Sequence, residues 1–136
     1  MTTATVSPSR PALRLPLLVA LGVALWFLAA MMFRVLGPFV LVPGNAALPL
    51  VFALFIPVAW AFLRVGVTLG GAGGSAILPA AVVMSLTAML LDSLALTFFP
   101  AIYGLPPAQL FLVATSLLWG VAWILLIAFV QARRAG

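Results

Sequence analysis

Residues 77–99 read ILPAAVVMSLTAMLLDSLALTFF. Across these 23 residues the one charged group is Asp92. A helix climbs about 1.5 Å per residue, so about 20 apolar residues cross the roughly 30 Å hydrocarbon core of a bilayer. The stretch lacks the alternating segments of about ten residues that a transmembrane barrel requires. It is a membrane-spanning helix by length and pattern. Three more runs of the same kind surround it, over 108–130, 47–65 and 15–36. The expectation is an all-α membrane protein, a bundle of four transmembrane helices.

Proline and glycine punctuate these spans. Pro49 and Pro79 fall in the first turns of their helices, where a missing N–H is harmless. Gly37-Pro38 and Pro100 are read as stops, and Pro106-Pro107 opens the last span. Pro57 lies mid-span and predicts a kink. Composition agrees. Hydrophobic residues make up 67% of the 136 and charged residues 5%, where a soluble domain has roughly 45–50% and 25%. A soluble fold could not cover its core with so few polar groups.

The charges can be named in full. Arg10, Arg14, Arg34, Arg64, Arg133 and Arg134 face a single acid, Asp92. Scattered arginines form no basic stripe, so the net charge of +5 does not point to nucleic acid. It points to orientation and to contact with lipid headgroups. With four spans, all of these arginines but Arg34 fall on one side. The positive-inside rule makes that side the cytoplasm, with both termini there (N-in, C-in). Arg10 and Arg14 before an apolar run also resemble a signal peptide. That run is about 20 residues, longer than the roughly 7–15 of a signal h-region, and no small-residue cleavage site follows it. The first span is expected to be retained. Residues 1–12 are expected to be a disordered cytoplasmic N-terminus, 13–132 the bundle, and 133–136 a cytoplasmic tail.

Catalytic equipment is thin. There is no Cys and no His, so thiol nucleophiles, imidazole bases and their metal sites are excluded. One carboxylate is a poor divalent-cation site. No cofactor, metal site or enzymatic activity is expected. The segment 69–75, LGGAGGS, lacks the Lys-Ser/Thr ending of a P-loop and reads as a connector within an inner loop over 66–76.

Asp92 is the most informative residue. An ionised carboxylate at mid-span costs about 3 kcal/mol or more on insertion scales, so it should face other helices. Ala81, Ser85, Ala88, Asp92 and Ala95 lie on one helical face of small and polar residues, which favours close helix contact. Arg34 is the expected partner. At about 1.5 Å per residue, Asp92 lies about 10 Å and Arg34 about 3 Å from the ends of their spans, within reach of a long side chain. Ser116 and Gly120 form a second small-residue face on the last span. Trp119 and Trp123, one turn apart, are candidates for packing in the bundle or against a partner, lipid or pigment. Tyr103, in the second outer loop, is expected to anchor at the interface.

The stretch Met89–Pro100, MLLDSLALTFFP, with the following AIYGLPP to Pro107, resembles the third span and outer loop of a bacterial family of small four-helix inner-membrane proteins. Leu25–Ala30, LWFLAA, and Phe33–Gly37, FRVLG, are similar to its first span. The family is one of unknown function, so the resemblance implies four spans and no activity. The sequence therefore leads to a structural or accessory membrane subunit. Its small-residue faces would meet a larger membrane complex or a second copy, on the premise that four spans cannot bury both faces. The alternative is a small proton-coupled transporter using Asp92.

Overall fold

The protein is described by a computed structural model over residues 13–135. Four helices follow one another: α1 Leu15–Val40, α2 Leu48–Gly70, α3 Ile77–Phe98 and α4 Pro107–Ala135. Short 3-10 turns at Gly74–Ala76 and Pro100–Ile102 lead into and out of α3. All four helices are long and apolar enough to cross a membrane. The expectation for residues 1–12 falls outside the described residues.

Three helices run further than the sequence suggests, and α4 is one: it continues past Val130 through Arg133 and Arg134 to Ala135, so residues 133–135 of the expected tail are helical. α1 passes through Gly37-Pro38 to Val40. Pro38 forfeits only the bond to the Arg34 carbonyl, and the Leu41 N–H still bonds the Gly37 carbonyl at 2.9 Å. α2 passes through Gly66 and Gly70, which the sequence placed in a loop. These glycines share a helical face that meets other helices. A Cβ at Gly66 would stand 2.6 Å from Met84 Sδ, and one at Gly70 2.9 Å from Leu18. They permit close approach, which a glycine-rich composition does not distinguish from a connector. α2 stops at Gly71, whose φ of +65° suits glycine and lets the chain leave the helix.

α1 packs most extensively on α3, and α4 lies against both α2 and α3. The closest approach of a glycine to another helix's backbone is at Gly22, where a Cβ would lie 2.9 Å from the Met84 carbonyl oxygen. Leu18, Ala72, Ala80 and Met84 form a core at the end where α1 starts and α2 stops. Ala30, Phe33, Leu41, Ala95, Tyr103 and Val113 form another core at the opposite end. The outer surface is apolar, with Phe27, Leu54, Leu90, Phe111 and Leu118 all exposed. Arg14, Arg64, Arg133 and Arg134 lie toward one end of the bundle and Arg34 toward the other.

Candidate functional site

Asp92 lies six residues before the end of α3 with 8% of its surface exposed. Its Oδ1 accepts a hydrogen bond from the Tyr103 hydroxyl at 2.7 Å. The local sequence explains how a loop residue reaches it. Pro100 opens a 3-10 turn that folds the chain back over the bundle. Gly104, at φ +64°, then redirects the chain toward α4. Between these two points Tyr103 is driven inward until it is fully buried. Burial first, and the Asp92 acceptor second, push the Tyr103 phenol above its ordinary pKa. The hydroxyl therefore stays protonated and serves as the donor.

Two sequence expectations change here. Tyr103 is not an interfacial anchor: its ring is in the core and its hydroxyl satisfies the buried acid. Asp92 and Arg34 do not form the expected pair. The Arg34 guanidinium donates through one nitrogen to the carbonyls of Ala101 and Ile102, at 3.0 and 3.1 Å. These acceptors lie at the end of the bundle, so Arg34 is satisfied without carrying its charge deeper into apolar surroundings. Arg34 thus pins the turn that delivers Tyr103. Gly104 fits against it, since a Cβ there would stand 3.4 Å from Arg34 Cζ.

Asp92 also lines a central cavity of about 90 Å³ to which all four helices contribute. Ser85 and Ala88 on α3, Ser116 and Gly120 on α4, and Trp26 on α1 line it as well. Ala81 and Ser116 are buried within the single chain, Ser116 to 2% exposure. The small-residue faces of α3 and α4 therefore look into the same interior, and the premise that one is left over for a partner does not hold. Gly120 is not a point of helix contact, because a Cβ there would meet nothing within 4 Å. Its lack of a side chain leaves room.

The cavity holds hydrogen-bonding groups that the chain does not pair. Ser116 Oγ and Trp26 Nε1 are buried without a partner. Trp26 faces the Asp92–Tyr103 pair, yet its N–H has no acceptor in hydrogen-bond geometry. Among the described residues, Tyr103 is the one hydrogen-bond partner of the Asp92 carboxyl. Sequence reading missed Trp26. The signal was its mid-span position, away from the interfaces where tryptophan usually sits. It also shares a face of α1 with Ala29 and Phe33, which line the same cavity.

Trp119 and Trp123 are structural neighbours, while Trp60 on α2 is exposed. Trp119 Nε1 donates to the Phe52 carbonyl at 2.8 Å, and its ring lies 6.0 Å from that of Phe52. Trp123 stacks edge-on against Trp119 at 5.7 Å. Together they tie α4 to α2.

A carboxyl, two serines and an indole around one cavity can hold a small ligand through hydrogen bonds and charge. No curated protein and no solved structure matches the chain. A sequence profile described as a family of unknown function, DUF5367, matches residues 39–135, which include Asp92, Tyr103, Ser116 and Gly120. That span is more than half of the 136 residues, and the chain belongs to the DUF5367 family.

Proposed function

We propose that this small multi-pass membrane protein is a non-enzymatic binding protein, and that the cavity around Asp92 holds a small ligand. The observation that carries this reading is the presence of two unpartnered polar groups, Ser116 Oγ and Trp26 Nε1, beside the one acid of the chain. Within a membrane such groups have no bulk water to bond, and native interiors satisfy nearly all of theirs. An ionisable residue at that depth marks a functional site by default. An accessory role through helix contacts has less support, since the small residues it would use line the interior. The distribution of arginines supports both termini in the cytoplasm, and the resemblance to small bacterial inner-membrane proteins supports a bacterial inner membrane.

The test uses n-hexanol as a probe, with the full chain in lipid nanodiscs. Its Trp26 indole N–H signal is assigned by Trp26→Phe. Hexanol is expected to shift that signal saturably in the wild type. In Gly120→Val, where the added side chain enters the cavity, the shift should disappear while the remaining spectrum is retained. A hexanol response that is linear, or equal in the two proteins, would contradict the reading.

A further inference from the structure

The central cavity is not isolated from the side of the bundle. A second, apolar groove of about 230 Å³ runs between the end of α1 and the start of α2. Met32, Phe33, Phe55 and Val58 line both the groove and the cavity, so the two meet at these residues. Phe33 and Phe55 stand there edge to face, 6.1 Å apart. The far rim is formed by Leu36 and Leu54, which are exposed on the lipid-facing surface. An apolar groove therefore lies between the bilayer side and the cavity that holds the carboxyl, parted from it by Met32, Phe33, Phe55 and Val58.

The charge inventory identifies the occupant. Asp92 is the one acid, and its partner is the neutral Tyr103 hydroxyl. Arg34, the cation nearest in depth, is spent on the Ala101 and Ile102 carbonyls. The other described arginines lie toward the opposite end. A cation is thus the complement that this site lacks, and the aromatic rings of Phe33 and Phe55 along the path suit one. Ser85 and Ser116 add hydroxyl oxygens for the remaining N–H groups of an ammonium.

Resting on the ligand-binding reading above, we propose that the ligand is a lipophilic primary amine entering from the bilayer between α1 and α2. Its ammonium group seats against Asp92 in the central cavity, and its alkyl chain remains in the groove. The tail buries against lipid-like side chains while the head trades membrane surroundings for a fixed counter-charge.

The test compares n-hexylamine, methylamine and n-hexanol on the Trp26 indole signal of the full chain in nanodiscs, at matched membrane concentrations. Hexylamine is expected to bind at least about tenfold more tightly than hexanol. Asp92→Asn should abolish that preference. This variant keeps an oxygen to accept from Tyr103. Leu54→Trp narrows the groove at an exposed position and should weaken hexylamine about tenfold while leaving methylamine unchanged. Equal affinity for hexanol and hexylamine would overturn the amine assignment and leave the cavity reading intact. Unchanged hexylamine binding in Leu54→Trp would overturn the lateral route. If no probe shifts the signal, the binding reading itself fails and the inference with it.

Discussion

Asp92 and Tyr103 form a contact between an intramembrane acid and a residue eleven positions further along the chain. Tyr103→Phe keeps the ring and removes the donor. The buried carboxyl then loses its partner, and stability should fall by about 1–3 kcal/mol in reversible unfolding from mixed micelles. Asp92→Ala with Tyr103→Phe should be non-additive, because each change removes the same bond. The Arg34→Gln and Asp92→Asn cycle should show a smaller coupling, since Arg34 acts through the 100–103 turn. A larger coupling for Arg34 would restore a direct pair. The burial of Asp92 was legible in the stripe Ala81, Ser85, Ala88. Its partner was not, because the direction in which a 3-10 turn throws its next side chain leaves no periodic trace. Tyr103 after Pro100 and before Gly104 reads equally well as a surface anchor.

At the scale of the helices, two glycines in similar sequence settings have opposite roles. Gly22 lets α1 approach α3, and a Cβ there would press on the Met84 carbonyl, part of a backbone that cannot swing aside. Gly22→Ala should destabilise the protein by about 1–3 kcal/mol. Gly120 faces room, so Gly120→Ala should be neutral or stabilise by about 0.5–1 kcal/mol, the helix-propensity difference. Thermal unfolding of the two variants in the same lipid checks the opposite signs. Number, type and order of the helices followed from apolar length alone. Their ends were less legible, since Gly37-Pro38 and Gly66…Gly70 carry breaker residues that the helices pass through. Contacts with Leu105, Met84 and Leu18 favour those glycines within helices, and such contacts exist only once the bundle has formed.

The whole molecule is a bundle whose outside suits lipid and whose inside holds its polar groups. The four described arginines at one end predict that a reporter active only in the periplasm stays dark when fused at residue 136 and lights up when fused after residue 103. The reverse pattern would invert the orientation and leave the cavity unchanged. Fold class was readable from composition because lipid imposes one requirement on every span. The cavity was not, because it arises where Gly120, Ser116, Ser85 and Trp26 meet side chains of α2 such as Phe55, so that all four helices build it, and no single segment encodes that. Its capacity to hold a ligand is the central claim. The most direct measurement is a crystal structure of the full chain soaked with 6-bromohexanol, read by bromine anomalous scattering. The account predicts a bromine peak in the central cavity or the adjoining α1–α2 groove, with the alcohol oxygen among Asp92, Ser116 and Trp26, and no such peak in Gly120→Val. Bromine found only along the outer lipid-facing surface of the wild type would contradict it.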